Sequence, residues 1–358
     1  MILINKNISN LTYLFIILLL SCSTVQEKKL PQEPISCDIL ISNGTIYDGS
    51  GSKPYVGSLA IKDNKIIYVG ENTDFQADTV IDATDLAVSP GFINMLSWGY
   101  NSLMDDGRAL SDLKQGVTLE IFGEGTSPGP YWKDGKFTSF GEAMTMLEEK
   151  GVSVNIGSFL GAATTRILEV GYKNRQATPS EMERMRGHVE NSMKEGAMGI
   201  GSSLIYAPGD YASTEELTEL SKVASEYGGM YISHLRSEGT NLLEALEELI
   251  SISRNANIPA EVYHLKASRE PNWSKLDDVI KRIEEVRKEG LKITADIYTY
   301  NASSTGLTGV IPTWVQEGGH RAWINRMKDP EVRPRLLADI REQLSLIHIS
   351  EPTRPSRI

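Results

Sequence analysis

The sequence predicts an α/β protein: a truncated (β/α)8 barrel of the TIM type, with about seven strands, behind a small N-terminal antiparallel β domain. Three observations predict it. From Val88 onward, short apolar strands alternate with amphipathic helical stretches, the pattern of parallel strands joined by right-handed crossovers. Two of those strands end in histidine 30 positions apart, Gly229-Met-Tyr-Ile-Ser-His234 and Ala260-Glu-Val-Tyr-His264, with apolar residues at helical intervals from Leu242 to Ile252 between them. From Asp38 to Ala87, short alternating strands are instead broken by turn residues.

Taken in order, residues 1–21 read as an export signal. One basic residue, Lys6, precedes the apolar run Leu14 to Leu20, which is far shorter than the ~20 residues a membrane span needs. Leu19-Leu-Ser-Cys22 resembles the bacterial lipobox, which implies that Cys22 carries a lipid and that an exported protein is anchored to a membrane, facing the periplasm or the cell surface. Residues 22–37, rich in Gln, Glu, Lys and Pro, read as a linker, with Cys37 an unpaired thiol in the tether. The β domain, residues 38–87, offers strands at Asp38–Tyr47, Gly57–Lys62, Lys65–Gly70 and Thr79–Asp82. Asp63-Asn64 is its hairpin turn, because both residues tolerate positive φ.

Barrel strands are expected near Ser89–Met95, Val117–Gly123, Val152–Phe159, Ala197–Leu204, Met230–His234, Ala260–Leu265 and Leu291–Tyr298. Thr178-Pro-Ser-Glu181 and Ser213-Thr-Glu-Glu216 are capping boxes that start helices between them. The barrel pattern runs over residues 88–343 without an eighth strand. Residues 344–358 then resemble the translation of a sequencing adapter, so His348 is given no functional weight. The net charge of −11 argues against a nucleic-acid groove, and 40% apolar content is that of an ordinary globular chain.

His234 and His264 fall at the carboxyl ends of neighbouring parallel strands. Catalytic residues of such barrels sit there, and two convergent imidazoles suit a single zinc ion. Lys266 and Arg236 each lie two residues beyond one of these histidines. Strand alternation would turn them to the same inward side. His188 lies in a charged helix and reads as a solvated surface residue.

Ser89-Pro-Gly-Phe-Ile-Asn94, Gln115-Gly-Val-Thr118, Ser233-His-Leu-Arg236, Tyr263-His-Leu-Lys266 and the run from Ala295 to Thr305 together resemble the N-acyl-D-amino-acid deacylases of the amidohydrolase superfamily, over about Asp38 to Gln343. The resemblance implies a metal-dependent barrel hydrolase that acts on a small N-acyl amino acid, with His234 and His264 as the strand-five and strand-six ligands. It implies substrate contacts at Lys266, Tyr298 and Ser304, with Arg236 an alternative clamp, and a proton-handling aspartate beyond Gln343; Asp296, on strand seven, is expected to orient neighbouring backbone instead.

Two departures from the family stand out. The run Met95 to Trp98 lacks the usual His-x-His pair of strand one, which dismantles one of two metal positions. After strand two the family's cysteine ligand falls on Gly125, in Phe122-Gly-Glu124-Gly-Thr126. A carboxylate ligates zinc well, so Glu124 is the candidate third ligand and Glu120 a weaker one; otherwise Glu124 faces water or pairs with Arg236. Two alternatives stay open: a degenerate barrel that binds a ligand without turning it over, and a cyclic-amide hydrolase. The latter normally needs the paired histidines and a lysine carbamate.

Overall fold

The computed structural model describes residues 34–71, 74–300 and 302–345. The expected signal, Cys22 and His348 lie outside the described residues. The chain divides into two units, the first ending at Pro90 and the second beginning at Gly91.

In the first unit, β1 (Ile35–Ile46) lies inside a sheet with β2 (Tyr55–Lys62), β3 (Lys65–Gly70), β4 (Phe75–Asp82) and β5 (Ala87–Val88). Asp63 and Asn64 do make the β2–β3 turn, with φ of 48° and 60°, and Lys62 pairs with Lys65. The sheet is mixed, not purely antiparallel as expected, since β4 and β5 both run parallel to β1. Apolar alternation says which face a residue takes; it does not say which way the next strand runs. Cys37 is also corrected. It lies in β1 rather than in a tether, 1% exposed, and packs with Leu40 and Ala60.

In the second unit, all barrel strands that pair do so in parallel and in chain order. They are β6 (Phe92–Asn94), β7 (Val117–Phe122), β10 (Asn155–Ser158), β11 (Leu160–Gly161), β12 (Gly199–Ser203), β13 (Met230–His234), β14 (Ala260–Val262) and β15 (Ile293–Ala295); a short hairpin of β8 (Tyr131–Lys133) and β9 (Lys136–Thr138) stands apart. β10 pairs with β7 and β11 with β12, so the two are one barrel strand interrupted at Phe159. The predicted seven strands are therefore present. Among the described residues, β6 and β15 pair on one side only.

The core has two layers because strand residues alternate between faces. Ile121, Phe159, Ile232 and Tyr263 fill the inside, while Ile200, Tyr231, Val262 and Ile293 pack outward against helices. The helix Leu242–Ala256 buries Leu242, Ala245, Leu246, Leu249, Ile250, Ile252 and Ala256, a helical spacing that lays one face on the sheet and carries the chain from β13 to β14.

Thr178 and Glu181 form the expected reciprocal capping box. Ser213 caps the next helix, but the side chain of Glu216 is drawn away to Arg166, 2.6 Å distant, with both groups almost wholly buried. His188 is half-buried, not a solvated surface residue. Its Nε2 lies 2.8 Å from Glu169 and its ring stacks near Phe137.

Candidate metal centre

The strand ends bring His234, His264 and Glu124 together. One donor atom from each lies within 4.8 Å of the others, and no other such trio occurs among the described residues. His234 ends β13 on the side of Ile232, facing inward, and is 6% exposed. His264 arrives differently. β14 stops at Val262, and His264 takes a left-handed φ of 37°, its N–H held 2.6 Å from Oδ1 of Asp296. Asp296 thus orients backbone, the role the sequence suggested. That turn aims the ring at His234, with centroids 4.4 Å apart and planes at 88°.

Glu124 follows β7 on a tight Gly-Glu-Gly corner. Gly125 has φ +71°, and a Cβ there would lie 2.9 Å from Cβ of Ser203. A side chain at Gly125 would crowd Ser203, and it is the neighbouring residue, Glu124, whose carboxylate faces the two histidines. Glu120 is not in the trio: it is buried beneath, accepting from Ser97 Oγ at 2.6 Å.

Oε1 of Glu124 lies 2.9 Å from Nδ1 of His234 and 3.7 Å from Nε2 of His264. Two ligands bonded to a tetrahedral zinc at ~2.1 Å sit roughly 3.4 Å apart, so these separations bracket that value and two nitrogens with one carboxylate are a donor set zinc accepts. The residues present therefore fit one zinc ion. Oε2 of Glu124 is held by the indole N–H of Trp98 at 2.8 Å, and Ser203 Oγ approaches Oε1 at 3.4 Å.

Charge follows geometry. Burial pushes the Glu124 carboxyl up, but hydrogen bonds from His234 and His264 outweigh it and bring the group down to about 2. Burial likewise disfavours protonated His264, yet Glu124 and Glu238 prevail and raise it to about 9, against the opposing charge of Lys266. Asp296 is pushed up to about 6, chiefly by burial.

Lys266, Tyr298 and Ser304 line the cavity in front of the trio. Nζ of Lys266 lies 2.5 Å from Oε1 of Glu238, 2.9 Å from Nδ1 of His264 and 5.4 Å from the Tyr298 ring centre. It reaches the site although strand alternation ends before it. Arg236 does not. Its guanidinium is committed to Glu248 at 2.9 Å and to the carbonyls of Asp210 and Ala212, because the chain leaves the strand after His234 and alternation no longer applies. Sequence reasoning missed Glu238 and the Trp98 contact; the only available signal for Glu238 was its place four residues beyond His234, in the same loop.

No family model matches the chain. It is 30% identical over 285 residues to a D-aminoacylase of Alcaligenes xylosoxydans xylosoxydans, covering 75% of this chain and 59% of that protein. By that likeness the chain resembles the D-aminoacylases of the amidohydrolase superfamily. The crystal structure of a D-aminoacylase superposes with a TM-score of 0.67 at 27% identity, covering 74% of this chain and 59% of that one. An N-acyl-D-glutamate deacylase from Bordetella bronchiseptica, solved with zinc and a phosphonate mimic of the tetrahedral intermediate, gives 0.66 at 25% identity, with the same coverage. The chain spans about three fifths of the length of the relatives it matches.

Proposed function

We propose that the protein is a hydrolase of a linear amide that uses one zinc ion and acts on an N-acyl amino acid of D configuration. The observation that carries the reading is the trio of Glu124, His234 and His264 opening onto a cavity that also holds Lys266. It draws support from the relatives, one named a D-aminoacylase and another solved with zinc.

A zinc ion in that place would supply Lewis-acid polarisation of an amide carbonyl and would acidify water. The chain's own residues do the rest. Glu124 and the two imidazoles give the donor set one net negative charge when the rings are neutral, which favours a divalent cation. Lys266 offers its ammonium to the carboxylate of the substrate, flanked by the Tyr298 ring, and Ser304 lines the same cavity. Arg236 takes no part in substrate binding in this reading, since its donors are already used.

A second reading keeps the cavity but not the reaction. Trp98, where the family has part of its histidine pair, hydrogen-bonds Glu124, and a barrel so altered would bind a ligand at the cell surface without turnover. Purified protein reconstituted with zinc and supplied with N-acyl-D-amino acids separates the two. Release of free amino acid, abolished in His234→Ala, supports the hydrolase; stoichiometric zinc and ligand binding with no release supports the binding protein. Export and anchoring through Cys22 belong to the same proposal, checked by metabolic labelling with a fatty acid that Cys22→Ser should abolish.

A further inference from the structure

The nitrogens of His234 and His264 that do not face Glu124 have a common neighbour. Oε1 of Glu238 lies 3.1 Å from Nδ1 of His264 and 3.6 Å from Nε2 of His234, and the same oxygen binds Nζ of Lys266. Nε2 of His234 is buried and has no other partner. The second oxygen of Glu238 accepts from Ser268 Oγ at 3.3 Å, which fixes the carboxylate from behind.

We infer that Glu238 is a positioning residue for the zinc site, one carboxylate whose charge lies beside the outer nitrogens of both histidines and ties them to Lys266. The inference rests on the zinc reading above and deepens it. A neutral imidazole carries one proton; the negative charge of Glu238 favours that proton on Nε2 of His234 and, in competition with the Lys266 ammonium 2.9 Å from the same atom, on Nδ1 of His264, which leaves the opposite nitrogens, the pair facing Glu124, as lone-pair donors. Such outer partners commonly contribute 10- to 100-fold to metal affinity by fixing the tautomer and raising ligand basicity. Here one group serves two ligands, where two separate partners are usual. Lys266 shares the acceptor, so its ammonium is held beside the metal ligands while a cation-binding substrate group is absent. An arriving carboxylate would draw Lys266 away from Glu238 and leave Glu238 wholly to the imidazoles.

The test compares wild type, Glu238→Gln and Glu238→Ala by zinc competition against a chromophoric chelator, with thermal melts of each metal-free protein. Glu238→Ala should bind zinc about 10- to 100-fold more weakly. Glu238→Gln, whose amide oxygen still accepts one N–H but carries no charge, should fall between. Zinc affinity of Glu238→Ala within twofold of wild type overturns the inference, whatever its melting temperature, because a merely structural role would move the melt and not the affinity. Should the alanine variant not fold, Glu238→Gln decides alone: wild-type affinity overturns the inference, and a measurable loss upholds it. Failure of wild type itself to bind zinc is a different result and overturns the metal reading, and this inference with it.

Discussion

Zinc binding at neutral pH should expel a proton from His264. In the ion-free site that imidazole is raised to about 9: burial opposes the charge, but Glu124 and Glu238 outweigh it. Metal needs the neutral ring, and at pH 7 only about one His264 in a hundred is neutral, two pH units below its pKa. The sign follows directly. Affinity is full above about pH 9 and weakens tenfold per unit as pH falls from there towards 7. At pH 7 the deprotonation costs on the order of 3 kcal/mol. Isothermal titration of zinc at pH 7 in buffers of different ionisation enthalpy should report about one proton released per ion, and chelator competition should show affinity rising about 100-fold to pH 9. An affinity flat across that window, with no proton released, would refute the reasoning.

Three further outcomes follow from the same structure. Glu216→Gln leaves the Arg166 guanidinium buried without its counter-charge, which costs about 3–5 kcal/mol and should lower the melting midpoint by about 10 °C; calorimetry checks it. Lys266→Met should raise KM for an N-acyl amino acid by about 10- to 100-fold, the value of one charged hydrogen bond, in steady-state kinetics of the zinc-loaded enzyme. Arg236→Ala should lower stability by about 2–3 kcal/mol in urea titrations while leaving that KM within twofold, since Arg236 binds Glu248 and loop carbonyls rather than facing the cavity.

The barrel was legible because a buried parallel strand and an amphipathic helix leave different periods in the chain, and seven such alternations read clearly. The two histidines were legible because each follows an apolar strand, His234 as the last residue of β13 and His264 two residues beyond β14. What lay beyond the strand ends was harder. Lys266 and Arg236 occupy the same offset from a histidine, yet one lines the cavity and the other braces a helix, because both lie in loops where period-two alternation has ceased. His264 itself reaches the site through a left-handed turn rather than by alternation. Glu238 left little pattern beyond its place four residues after His234, since its contacts with His264 and Lys266 come from groups gathered only by folding. The parallel placement of β4 in the first unit was hidden likewise, because strand direction is a matter of connection and not of local composition.

Zinc K-edge absorption on stoichiometrically loaded protein tests the central claim most directly. The account predicts one tightly held ion per chain with two imidazole nitrogens and at least one carboxylate oxygen at about 2.0–2.2 Å, no sulfur, and loss of the ion in His234→Ala. A spectrum showing sulfur ligation, or zinc retained undiminished when His234 is removed, would contradict it.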